Sequence, residues 1–352
     1  MTPVPPRIPP GAPAPRDIGA PDSPSRRQFL RRLAVASALA ATAGGLGLAL
    51  RDPHGPQAVP GGRVLTGLGD FSVAPKTPTT PRLATVHGTD RRAMFNQGIN
   101  ALGGMEAFIR RGDVVLIKVN AVIAAPPLLA ATTNPELLAA VAEACKLAGA
   151  AKVLVTDNPI HNPDSCFAVS GLAGAARQSG AAILMPRQAL FSPVSLPKAA
   201  LLTDWPVLAG AFAGVTKCII LSQVKNHQRA VASLTLKNLY GLLGGRRNIF
   251  HQDINGIIAE LGRLVRPSLC VLDGVVSMMT NGPTGGSLSD LKATGTMILS
   301  TDPVAADAQG IGLLNLTPAD LPYLALAQAA GVGSIDATSL NPVTLNVEPA
   351  AG

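Results

Sequence analysis

Aromatic side chains are scarce in this 352-residue chain: one Trp, two Tyr and eight Phe make up 3% of it. A core must therefore rest on Ala, Val, Leu and Ile, which fits a layered α/β protein better than an aromatic-rich sandwich. The same scarcity, with no basic run interleaved with aromatics, argues against nucleic-acid binding. Cysteine is sparse too. Cys145, Cys166, Cys218 and Cys270 stand far apart with no C-x-x-C pair, so the spacing predicts neither a cysteine zinc site nor an iron–sulfur cluster. Buried thiols are the expectation, with a disulfide after export left open. Also missing are the Gly-x-Ser-x-Gly elbow of a hydrolase and the Lys-Ser/Thr ending of a phosphate-binding P-loop.

The net charge of +8 misleads, because residues 1–60 hold seven Arg and three Asp, leaving 22 Lys and Arg against 18 Asp and Glu. Residues 1–24 are Pro-rich and aperiodic, which reads as disorder. Ser25-Arg26-Arg27-Gln28-Phe29-Leu30-Arg31 and the Ala/Gly/Leu run after it look like a twin-arginine export signal. Arg26 and Arg27 would then be read by the Tat translocase, and residues 25–60 form the leader. Its alternative reading is a membrane anchor, since the run of about 18 residues is near the spanning threshold. Any contact with a membrane is expected through this segment alone, with the folded part periplasmic or on an extracytoplasmic face. Residues 61–84 read as a linker and the stretch from 336 as a tail.

Between them, apolar runs alternate with helical patterns. Strands are expected at Asp113–Asn120, Lys152–Asp157, Ala181–Met185, Lys217–Ser222, Ser268–Leu272 and Thr296–Ser300. Thr133-Asn134-Pro135 starts a helix, with a capping side chain before Pro at the first helical position. This alternation predicts βαβ units: a mostly parallel, doubly wound sheet with helices on both faces, in one unit or split into two lobes.

The strands deliver polar groups at their ends: Lys118 and Asn120, Asp157, Lys225 to His227, Asp273, and Asp302. The carboxyl edge of an open α/β sheet is where ligands bind. Each group alone is an ordinary cap or turn former; five together predict a pocket. Lysines there suit a small anionic ligand, phosphate or carboxylate, while the acids also permit a divalent metal.

The order Lys118-x-Asn120, Thr133-x-Pro135, Asp157, Lys225-x-His227, Leu236-Lys237-Asn238-Leu-Tyr-Gly241, Asp273-Gly274, Gly282-Pro283-x-Gly285 and Asp302-Pro-Val-Ala-Ala-Asp307 resembles the DUF362 family, a domain of unknown function. The resemblance spans roughly residues 85–335. Many members of that family carry a ferredoxin-type cysteine cassette, which this chain lacks. The resemblance therefore implies positions to watch and no reaction.

The resulting expectation is an exported enzyme. Lys225, His227 and Lys237 would be catalytic, with His227 as acid/base or metal ligand. Lys118, Asn120, Asn238, Gly282 and Gly285 would hold the substrate, and Asp157, Asp273 and Asp302 a metal. Its rival is a non-catalytic protein that captures an anion, a metal or a redox partner. His251, after Arg246-Arg247-Asn248, reads equally as anion grip or solvated loop. Asp307, on an apolar helix, needs a partner, for which Lys237 or Lys118 is the expectation.

Overall fold

The computed structural model describes residues 25–50, 55 and 64–348. The stretch 1–24, read as disordered, lies outside the described residues. The chain divides into two units, Met1–Pro53 and His54–Gly352.

In the first unit, helix α1 (Arg26–Ala49) starts with a reciprocal capping box between Ser25 and Gln28. Its 24 residues give a length of about 36 Å at 1.5 Å per residue. No side chain of α1 is buried, and it is long and apolar enough to cross a membrane.

In the second unit, nine strands form the main sheet. In chain order they are β1 (Leu83–His87), β2 (Val114–Lys118), β3 (Lys152–Thr156), β4 (Ala182–Ile183), β5 (Lys217–His227), β6 (Val231–Ser233), β7 (Leu269–Met278), β8 (Leu291–Ser300) and β9 (Val343–Asn346). The spatial order is β9-β1-β8-β7-β5-β2-β3-β4, with β6 folded back on the end of β5. Strands β7, β5, β2, β3 and β4 are mutually parallel, whereas β8 runs against both its neighbours. The expected mostly parallel sheet is present.

Alternation along the strands sends side chains to both faces. Val115 and Ile117 pack in one cluster, with Met94, Phe95 and Ile99 of α2 (Arg91–Ala101), Leu138 and Val141 of α3 (Pro135–Leu147) and, beyond α4 (Pro163–Val169), Leu172 of α5 (Leu172–Gln178). Leu116 packs in the other, with residues of α6 (Thr235–Asn238), α7 (Ile254–Leu264), α8 (Pro303–Gly310) and α9 (Pro322–Ala329). Both faces are thus covered, as parallel strands buried on two sides require. Helix α3 begins where expected: Asn134 caps it by accepting from the Glu136 N–H at 2.9 Å.

Three expectations change. The linker 61–84 contributes backbone pairing at Gly69–Asp70 and the start of β1, and the tail supplies β9 as an edge strand beside β1. The α/β region clusters as one unit, so it is not split into lobes. Residues 186–214 pack Phe191, Trp205 and Phe212 into the Leu116-side core.

The chain steps outward from β2 through β3 to β4, then returns to lay β5 on the other side of β2. The carboxyl ends of β2 and β5 therefore flank a topological switch point, where open α/β sheets leave a crevice.

Candidate active site

A cavity of about 190 Å³ opens at that switch point. Asn120, Asp157, Lys225, His227, Lys237 and Asn238 line it, joined by Tyr240, Arg247, His251 and Pro283.

One wall comes from β2, β3 and α6, and its polar groups are consumed internally. Lys118 Nζ reaches Asp157 Oδ1 at 2.8 Å, Asn238 Oδ1 at 3.0 Å and the Val119 carbonyl at 2.6 Å, so its three N–H donors each have an acceptor. Asp157 also accepts from the Ala121 and Asn158 N–H groups. Asn238 Nδ2 donates to the Leu221 carbonyl and to Ser222 Oγ, each at 3.0 Å. Lys118 and Asn238 were expected to bind substrate and Asp157 a metal; all three are instead bound to one another and to backbone.

A second set of groups, Lys225 of β5, Lys237 of α6 and Arg247, is cationic with no carboxylate partner among the described residues. Lys225 Nζ touches two carbonyls, Ala131 at 2.6 Å and Pro283 at 3.3 Å. Lys237 Nζ sits 3.9 Å above the centre of the Tyr240 ring. Arg247 donates to the Leu243 carbonyl at 3.1 Å. Burial, reinforced by neighbouring cations, brings Lys225 and Lys237 each down to about 7, against an ordinary value of 10.5.

His227 is lowered to about 3 by burial and then by Lys237 and Lys225, so its ring is neutral. Its Nδ1 accepts the Arg229 and Ala230 N–H groups at 3.2 and 3.1 Å. These bonds assign the proton to Nε2. His227 is therefore a neutral N–H donor. Serving as base or metal ligand through Nε2 would move the proton to Nδ1 and forfeit two backbone bonds. His251, its ring centre 6.2 Å from that of His227, has Nδ1 3.1 Å from the Asn248 carbonyl, which leaves Nε2 as an acceptor.

Asp273 and Asp302 do not join this cavity. Asp273 binds Arg91 Nε at 2.7 Å and lines a different hollow. Asp302 follows β8, and because β8 is antiparallel its end lies at the opposite edge, Ser300 being paired with Cys270 near the start of β7. There Asp302 caps α8 through the Val304 and Ala305 N–H groups and also accepts from Ser334. The three acids expected to share a metal thus lie in three places, and no group of three or more His, Cys, Asp or Glu that could hold a metal occurs among the described residues.

In the loop after β7, Gly282 donates its N–H to Asn226 Oδ1 and Pro283 reaches the cavity, while Gly285 bonds to Asn281 away from it. Asp307 finds neither lysine. It accepts from the Thr235 and Leu236 N–H groups at 2.7 and 3.0 Å, with Tyr323 as a third donor, and so caps the helix that carries Lys237.

A family model for a domain of unknown function, DUF362, matches residues 115–312. The chain belongs to the DUF362 family. Thylakoid-associated protein sll1697 of Synechocystis sp. is 28% identical over 260 residues, which cover 70% of this chain and 77% of that protein. The lactate racemase apoprotein of Thermoanaerobacterium thermosaccharolyticum superposes with a TM-score of 0.34 at 10% identity, covering 67% of this chain and 58% of that one. The chain thus spans less than two thirds of the racemase, and a likeness of that size carries no functional argument.

Within this DUF362 chain, Tyr240 was not singled out as a site residue from the sequence, while Arg247 and His251, read there equally as an anion grip or a solvated loop, both line the cavity. Tyr240 and Arg247 lie just beyond Lys237-Asn238, and their roles depend on the turn of 3₁₀ helix Leu239–Leu242 that brings them back over the cavity.

Proposed function

We propose that this cavity is an active site that binds a small oxyanion, a carboxylate or phosphate, and transfers a proton on it. The observation that supports this reading is charge: Lys225, Lys237 and Arg247 line one hollow whose only acid among the described residues, Asp157, is committed to Lys118. Arg247 and one lysine would hold the anion, and the His227 Nε2–H would polarise it. A lysine with a pKa near the working pH is suited to give and take a proton, here Lys225 or Lys237. A divalent metal held by Asp157 is disfavoured, since both carboxylate oxygens are occupied and the neighbours are cations.

The test is deuterium wash-in. The protein is incubated in D₂O with a set of small carboxylates and C–H exchange is followed by NMR. Exchange that is lost in Lys225→Met and in Lys237→Met supports the reading. Carboxylate or phosphate binding without exchange, retained in His227→Gln, favours the non-catalytic anion-binding protein instead.

We further propose that α1 directs export of the folded chain by the Tat translocase and keeps it at an extracytoplasmic membrane face if it is not cleaved. The Arg26-Arg27 pair at the start of a fully exposed apolar helix supports this. Arg26→Lys together with Arg27→Lys should leave the protein in the cytoplasm on fractionation; unchanged export would refute the assignment.

A further inference from the structure

A second polar hollow, of about 180 Å³, is lined by Arg91, Thr132, Gln223 and Asp273, with Leu128 and Val276 on its apolar side. Its charges balance, Arg91 Nε donating to Asp273 Oδ2 at 2.7 Å. Two of its atoms do not: Thr132 Oγ1 and Gln223 Oε1 have no hydrogen-bond partner among the described residues, although each residue is only 3% exposed. A buried polar atom left unpaired costs about 1–3 kcal/mol, so two in one hollow point to an occupant. The chemistry each requires is readable. Gln223 Nε2 donates to the Ala131 carbonyl at 2.7 Å, which makes Oε1 an acceptor awaiting an N–H or O–H. Thr132 has a hydroxyl proton to give, and among the described residues Arg91 has only Nε engaged.

We propose that this hollow binds a small zwitterion, an α-amino acid with a short apolar side chain. Its carboxylate pairs with the Arg91 terminal nitrogens and the Thr132 hydroxyl, its ammonium with Gln223 Oε1 and Asp273, and its side chain rests against Leu128 and Val276. Each charge of the ligand meets one opposite charge, and both orphaned oxygens gain a partner. The site also touches the first cavity: the Ala131 carbonyl accepts from Gln223 Nε2 and from Lys225 Nζ. A ligand on Gln223 is thus one carbonyl away from Lys225. The proposal is independent of the reaction assigned to the first cavity.

Calorimetric titration of the full chain tests it, with alanine and valine as probes and propionate and propylamine as controls lacking one charge each. Alanine or valine should bind, each control at least tenfold more weakly. Thr132→Val and Arg91→Lys should each lose tenfold or more with an unchanged circular dichroism spectrum, and Thr132→Val, isosteric, keeps the test alive if Arg91→Lys fails to fold. Absence of binding at millimolar amino acid would overturn the proposal and leave the hollow to water. So would propionate binding as tightly as alanine, or affinity untouched by both substitutions.

Discussion

The two walls of the first cavity both carry buried lysine and do opposite things. Lys118, Asp157 and Asn238 saturate one another, whereas Lys225, Lys237 and Arg247 meet carbonyls and a ring face but no acid. Burial lowers all three lysines; Lys118 alone has a carboxylate in contact to hold its charge and acts as a structural pin, whereas Lys225 and Lys237 are left able to meet an anion. The difference between a scaffold and a site is therefore one aspartate.

Removing that aspartate should have the largest effect. Asp157→Ala strands the Lys118 ammonium, and breaking one partner of a buried pair costs about 3–5 kcal/mol, measurable by urea denaturation. The pair replaced together, Lys118→Met with Asp157→Leu, should be markedly less destabilised than the single variant. If Asp157→Ala unfolds no more readily than the parent, the wall is not a pin.

On the other wall, Lys237→Met should weaken binding of inorganic phosphate or of a small carboxylate about tenfold or more, since a bond to a charged group contributes about 1.5–3 kcal/mol. The same substitution should raise stability slightly by removing a desolvated amine. Phosphate titrations and melting curves on one sample separate the two effects.

The glycines sharpen the contrast further. A Cβ on Gly241 would collide with Asp157 Oδ1 and crowd Lys118 Nζ, and one on Gly282 would collide with the Asn226 carbonyl. Overpacking of this kind costs about 1–3 kcal/mol. Gly241→Ala should therefore act through the pinned wall, with lowered stability read in urea, while Gly282→Ala should disturb the loop that brings Pro283 to Lys225.

The pH dependence of stability separates two kinds of buried group, which act in opposite directions in different windows. Lys225 and Lys237 are near 7 when folded and near 10.5 when unfolded, so between those values the unfolded chain binds more protons and their contribution to stability rises with pH. Asp307, pushed by burial from 3.8 up to about 7, binds more protons when folded, so its contribution falls as pH climbs from about 4 to 7. Melting temperatures should accordingly rise from pH 7 toward pH 10, and Lys225→Met should flatten that rise.

Much of the fold was legible because buried parallel strands announce themselves as short apolar runs, and Asn134-Pro135 as a helix start. Strand β1 was not, since Leu83–His87 follows a Pro/Thr-rich stretch and makes its pairs with strands more than two hundred residues later. Of the strand-end groups, Lys118, Asn120, Asp157, Lys225 and His227 do lie together, beside Lys237 and Asn238 of helix α6. Asp273 and Asp302 do not. A polar residue after an apolar run looks identical in a parallel and an antiparallel strand, and strand direction is set by partners remote in sequence.

By itself the sequence determined residue types and local order: an aliphatic core, alternating strands and helices, an arginine-paired leader pattern, and lysines placed at strand ends. Those follow from periodicity and capping, which act over a few residues. Only the tertiary structure decided which lysine is neutralised by Asp157, which proton His227 carries, and that β8 runs backwards. Each depends on contacts between segments tens to hundreds of residues apart, where a difference of a few ångströms converts an ion pair into a desolvated charge.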